Sequence, residues 1–203
     1  MGKRPGVRRR GRGGMQFRAA ATQKLKPAKY PSFSLDEERK GEIIDLVHES
    51  GRDVPLSKVR FEDGAISFIP APLGTKVGQR ISFGLNSEII DGNVISIQNI
   101  PDGTIVCNVE KQFGDGGSFI KTAGADATVF SHADDGVILK LASGKFKKLN
   151  PKNRAMIGTL AGGGVEDRPF MRAGVKMMRF KSKGQKYPIV RGVAQAAYVH
   201  PHG

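Results

Sequence analysis

Both ends of this chain are nearly empty of acid. Residues 1–35 carry ten Lys and Arg (Lys3, Arg4, Arg8, Arg9, Arg10, Arg12, Arg18, Lys24, Lys26 and Lys29) and no Asp or Glu, and residues 151–203 carry ten against two. The charge is sorted by position. Residues 36–110 hold seven basic and thirteen acidic groups and residues 111–150 hold six and four, within a formal net charge of +14. Tryptophan is absent and aromatic residues make up 7%, which points to small cores of Val, Ile, Leu and Phe. The single cysteine, Cys107, excludes an internal disulfide and a cysteine-built structural zinc site. In the apolar run TIVCNV it reads as a small buried hydrophobe in a reducing compartment. No apolar run approaches the ~20 residues that span a bilayer, so no membrane partner is expected. No apolar stretch follows the positive N-terminus, which excludes a secretory signal. GVRRRGRGG is too glycine-rich for the amphipathic helix of a mitochondrial presequence.

What is present is turn chemistry. The 27 Gly and 11 Pro favour short strands over long helices. Runs of β character fall at 42–48, 56–61, 65–69, 80–83, 94–97, 104–109, 127–131, 137–142, 145–149 and 155–160. Asp63-Gly64, Asp135-Gly136 and Ser143-Gly144 supply hairpin signals between them. Strands at about ten-residue spacing imply an all-β chain of small barrels or sandwiches. Short helices are expected only near 152–157 and 171–178. Residues 1–35 read as an extended arm that orders on a nucleic acid, because its glycines and prolines break any helix and its like charges give it nothing to bury. A boundary between two folded parts is expected near Ile90 to Gly92, where Asp91-Gly92 marks a turn. From Ala161 onward the chain turns irregular and basic.

Lys and Arg at this density gain affinity for a polyanion by releasing condensed counterions, and a pI near 10.1 with clustered Arg is a nucleic-acid binder's footprint. The stretch 168–191 holds Arg168, Arg172, Lys176, Arg179, Lys181, Lys183, Lys186 and Arg191 without an acid, interleaved with Phe170, Phe180 and Tyr187. Arg forks grip phosphate and flat rings stack on unpaired bases. Two glycine clusters, Gly114, Gly116, Gly117 and Gly162, Gly163, Gly164, are turns or places of close backbone approach to phosphate. Neither is a nucleotide-binding loop, since no Gly-Lys-Ser/Thr follows. Lys140, Lys145, Lys147 and Lys148 belong to one expected hairpin and suit backbone contacts or ordinary edge protection. The four scattered histidines, His48, His132, His200 and His202, make no metal site, and no cofactor motif is present. Read from residues, the chain is a two-barrel nucleic-acid binder without a catalytic site. A soluble translation or RNA-chaperone factor that binds tRNA or single-stranded RNA stays open as the alternative.

Four segments carry a specific likeness: RRRGRGGMQFRA, IPDGTIVCNVE with GDGGSFIKTAG, LASGKFKKLNPKNRAMIGTLAGGG and PIVRGVAQAAYVHPHG. In this order and spacing they resemble the universal large-subunit ribosomal protein L-two family, its archaeal branch above all. The resemblance implies a non-enzymatic, cytoplasmic ribosomal protein: an OB-like barrel (36–90) and an SH3-like barrel (91–165) between a basic arm (1–35) and a basic extension (166–203). It implies binding to large-subunit rRNA near the peptidyl transferase centre, neighbouring ribosomal proteins, and contact with tRNA and small-subunit rRNA in subunit association. Carried over by position, Arg8, Arg9, Arg10, Arg12, Arg18, Lys145, Lys147, Lys148, Arg154, Arg191, His200 and His202 join the RNA-binding set. Val199 stands where the family commonly has an acid, so His200 is expected to position RNA and not to act as an assisted base. The segment AISFIPAP lacks the family's usual basic residues before the AP turn. The family also continues with a basic tail beyond the position of Gly203.

Overall fold

The strands of the computed structural model, described for residues 11–19, 21, 24–32, 38–85, 87–133 and 135–200, follow the alternation of apolar residues closely. They are β1 (Arg39–Val47), β2 (Leu56–Phe61), β3 (Ile66–Pro70), β4 (Arg80–Phe83), β5 (Val94–Ser96), β6 (Ile105–Cys107), β7 (Ala127–Ala133), β8 (Gly136–Leu141), β9 (Phe146–Leu149) and β10 (Arg154–Ile157). In β2 the period of two sends Ser57, Val59 and Phe61 inward on one face, while Arg60 on the other face is exposed. The three hairpin signals sit at the β2–β3, β7–β8 and β8–β9 turns.

All ten strands form one mixed sheet in the order β3-β2-β1-β4-β5-β10-β6-β7-β8-β9. Every ladder is antiparallel except β4–β5, which meet in parallel at Phe83 and Val94. Among the described residues this ladder does not close on itself. β3 and β9 are its edges, and Ala28 forms an isolated parallel bridge to Phe68 of β3.

Two hydrophobic cores lie on this sheet. The first gathers Tyr30, Ile43, Val59, Phe61, Ile81, Phe83, Val94, Cys107, Met156 and Leu160 with their neighbours. The second gathers Ile95, Ile97, Ile100, Val106, Val129, Val137, Leu139, Ala155 and Ile157 with theirs. Consecutive residues of β5 (Val94, Ile95), β6 (Val106, Cys107) and β10 (Ala155, Met156, Ile157) therefore enter opposite cores. These three strands are the wall the cores share, which explains their unbroken apolar runs: a strand buried on both faces has no polar side to show. The helix expected near 152–157 is instead β10. Its residues can satisfy both cores only with side chains that alternate by 180°, and β5 and β6 offer it backbone partners on either side. Partly buried Ile120 packs against both clusters and holds φ +56°, a strained value for a β-branched residue.

The chain divides into two compact units. The larger is Leu25–Glu49 with Asp53–Arg168; the smaller is Met1–Lys24, Ser50–Arg52 and Pro169–Gly203. The sheet and both cores belong to the larger. The smaller contains α1 (Ala173–Ser182), the helix expected near 171–178, and a turn of 3-10 helix at Gly192–Ala194. Residues from the two ends of the chain meet within it. Gly184, at φ +69°, lies so close to Phe17 O and Ala19 N that a side chain there would strike them. Lys24 Nζ donates to Ser50 O at 2.7 Å.

Candidate nucleic-acid interface

The unit boundary is also a charge boundary. The segments of the smaller unit hold sixteen of the 33 Lys and Arg and no Asp or Glu, so all 19 carboxylates lie with the other seventeen cations in the larger unit. Sequence reading treated the basic arm and the basic extension separately; the fold brings Arg12, Arg18 and Lys24 into one unit with Arg172, Lys176, Arg179, Lys181, Lys183 and Arg191. Arg8, Arg9, Arg10 and His202 lie outside the described residues. Arg168 ends the larger unit and is exposed.

Along α1 and its caps, Arg172, Lys176, Arg179 and Lys183 recur at helical spacing and form one stripe. Aromatic rings pack against two members of this stripe, Lys176 and Arg179. Lys176 Nζ lies 5.3 Å from the ring centroid of Tyr187, 5.8 Å from Phe170 and 5.9 Å from Phe180, and the Arg179 guanidinium lies 5.4 Å from Phe170. Phe180 and Tyr187 are themselves in contact, at 5.5 Å between centroids. Half-buried His200 packs its imidazole on Gly192, where any side chain would displace it.

In the larger unit, Lys145, Lys147 and Lys148 are exposed at the β8–β9 hairpin. Lys148 is joined to Asp135, whose carboxyl that ammonium holds below the usual carboxylate range.

Arg154 corrects an expectation. Its side chain is 3% exposed, and its partner Glu110 is 0% exposed. The guanidinium donates to Glu110 from Nε at 3.0 Å and from Nη2 at 2.5 Å, and to Pro31 O from Nη1 at 3.2 Å. It also lies over the Tyr30 and Phe113 rings. The Glu110 carboxylate accepts two further N–H groups, from Arg154 and Gly116, at 3.0 Å each. The guanidinium is thus committed inside the protein. Tyr30 closes the same cluster, donating its hydroxyl to Asn108 O at 2.5 Å, and burial pushes that phenol's pKa well up. Lys121 Nζ donates to Ala28 O at 2.7 Å. Together these contacts fasten the last part of the arm, residues 28–31, to the folded body. Sequence reading missed the pair because its partners stand 44 residues apart and no local spacing links them.

The first glycine cluster likewise serves the protein itself. Burial of Asp115 would raise its pKa, but the Ser118 hydroxyl and the N–H groups of Gln112, Lys111 and Gly117 outweigh that and hold it low. The 111–118 loop is wound around this carboxylate. Gly116 abuts Lys29 and Gly117, at φ +86°, abuts the Asn108 side chain. Gly162 abuts Asp53 O, Gly163 contacts Gly124 and Gly164 lies beside the Asp167 carboxylate, whereas Gly114 has open space around it. The buried thiol of Cys107 has its pKa pushed up, first by desolvation and then by Asp126 and Asp91, which fits an inert core residue.

Residues 90–203 match the family described as Ribosomal Proteins L2, C-terminal domain. The whole chain is 72% identical over 203 residues to Large ribosomal subunit protein uL2 of Cenarchaeum symbiosum, covering 84% of that protein. It is 72% identical over 204 residues to the protein of the same name from Nitrosopumilus maritimus, again covering 84% of it. Against that of Korarchaeum cryptofilum the identity is 45% over 203 residues, covering 83%. The chain belongs to the uL2 family of large-subunit ribosomal proteins. Membership in the uL2 family makes it a ribosomal protein and not an enzyme. No helix among the described residues is long and apolar enough to cross a membrane.

Proposed function

We propose that the protein is a structural constituent of the large ribosomal subunit that holds large-subunit rRNA mainly through its phosphates. The observation that carries this reading is the acid-free smaller unit with its sixteen cations. A surface evolved for water mixes signs, whereas cations without carboxylates repel one another until a polyanion neutralises them. In this reading Arg12, Arg18, Arg172, Lys176, Arg179, Lys181, Lys183 and Arg191 face RNA, with Arg8, Arg9, Arg10 and His202 added by position. Arg168, Lys145, Lys147 and Lys148 add contacts from the larger unit. Gly114, which has open space around it, is the glycine of the two clusters best suited to backbone approach. His200, set on Gly192, positions RNA and transfers no proton.

The two cores support the finer architecture of an OB-like barrel followed by an SH3-like barrel, joined through their shared strands. Placement near the peptidyl transferase centre, contacts with other ribosomal proteins, tRNA and small-subunit rRNA, and a part in subunit association follow from family resemblance and belong to the same proposal.

Two measurements test it. The protein should travel with large subunits through a high-salt sucrose gradient. With roughly ten phosphates engaged, its log affinity for deproteinised large-subunit rRNA should fall against log salt at a slope of about −7 to −9. Release from subunits together with a nearly flat slope would overturn the reading.

A further inference from the structure

The outer face of β7–β8–β9 carries an aromatic pair that neither the cores nor the acid-free unit uses. The register of β7 on β8 runs Val129 with Leu139 and then Ser131 with Ile138, so Phe130 is the extra residue of a bulge. Bulges re-aim side chains. Here Val129 enters the second core while Phe130 stays 53% exposed. On the far side of β8, Phe146 pairs with Lys140 and is 57% exposed. β7 and β9 flank β8 and so run about 10 Å apart, yet the two ring centroids are 4.9 Å apart with planes at 64°. The rings therefore meet above β8 on the face turned away from Val137 and Leu139. By register, exposed Lys140 and Lys148 share this face with Phe146, exposed Lys145 lies at the turn, and Lys147, opposite Leu139, lies on the other face. The hairpin 136–149 contains no Asp or Glu, and the neighbouring Asp135 is taken by Lys148.

We propose that Phe130 and Phe146 form a stacking platform for an unpaired base of large-subunit rRNA, with Lys140 and the hairpin lysines holding the flanking phosphates. This rests on the rRNA-binding reading above and adds a base contact to its phosphate contacts. Charge complementarity selects the occupant. An apolar protein surface laid on the rings would desolvate a rim of ammonium groups that outnumber the carboxylate set against them, Asp135 on Lys148, whereas an RNA loop brings a flat base and its own phosphates together.

The test has two arms. Ultraviolet irradiation of intact large subunits, followed by mass spectrometry of the digested protein, should find a nucleotide adduct on a peptide containing Phe130 or Phe146. In the second arm, Phe130→Leu with Phe146→Leu keeps apolar cover over Ile138 but removes the flat rings. This variant should bind deproteinised large-subunit rRNA ~5- to 150-fold more weakly, the range of one lost stack, with its salt slope unchanged. Lys140→Ala should instead lower the slope. Adducts confined to other peptides, a cross-link from these rings to a protein, or unaltered affinity in a folded double variant would overturn the platform while leaving the ribosomal reading intact. That reading fails separately, if the unmodified protein does not sediment with large subunits. Should the double variant not fold, the irradiation arm decides alone.

Discussion

At the scale of single residues, the decisive pair is Glu110 and Arg154. Burying two charges is costly, and their attraction offsets the cost only when the remaining donors and acceptors are also met. Here they are: the carboxylate accepts two backbone N–H groups besides the guanidinium, and the guanidinium reaches Pro31 O and two rings. Removing one partner leaves the other charge buried without this ion pair. Glu110→Ala or Arg154→Ala should each cost about 3–5 kcal/mol in urea unfolding. The combination of Glu110→Gln with Arg154→Met should cost less than either, because no net charge is then stranded. A single substitution costing under about 1 kcal/mol would mean that the pair is solvated in solution. The salt slope of rRNA binding should not change in a folded Arg154 variant, since that guanidinium is buried against Glu110.

At the scale of elements, the β8–β9 hairpin shows how equal charges differ by context. Lys145 and Lys147 are exposed on a short edge hairpin, while Lys148 is joined to Asp135. Lys145→Ala and Lys147→Ala should each lower the salt slope of RNA binding by about one phosphate contact, ~0.7–0.9, and change stability by less than about 0.5 kcal/mol. Lys148→Ala should lower it less, because that ammonium already has the Asp135 carboxylate as its counter-charge. Titrations at several salt concentrations and thermal melts measure both quantities. A dominant effect at Lys148 would move the RNA face to the opposite end of the hairpin. β10 makes a second point about elements. Its sequence RAMI has no strong local preference, and pairing with β5 and β6 between two cores makes it a strand.

At the scale of the molecule, charge and core are separated: the larger unit has the sheet, both cores and every carboxylate, and the smaller has none of these. None of the residues of α1 is buried, so the smaller unit gains little from an apolar core. Limited trypsin digestion of the free protein should therefore remove residues at both ends first and leave a resistant fragment close to 25–168. That fragment should unfold cooperatively and bind rRNA with a much shallower salt slope. In intact subunits the same bonds should resist cleavage. Early cleavage within β1–β10, with the ends surviving, would contradict this division.

Most of the strands were legible in the chain because apolar runs and Asp-Gly or Ser-Gly turns are local signals, whereas the region of β10 also read as a helix. So was the segregation of charge that suggests a polyanionic partner, because charge sorted by position needs no structure to be seen. The wall shared by β5, β6 and β10 could not be read from the sequence. A continuous apolar run says that a strand is buried on both faces but not that each face meets a different core. Nor did the sequence separate Arg154 from the lysines of the hairpin just before it. All are cations in one basic stretch, and only the arrival of Glu110, Tyr30 and Pro31 from distant segments takes Arg154 out of contact with solvent. The joining of the two basic ends in one unit was likewise a tertiary decision. It depends on close approaches such as Gly184 to Phe17 and Ala19, between residues that nothing along the chain connects.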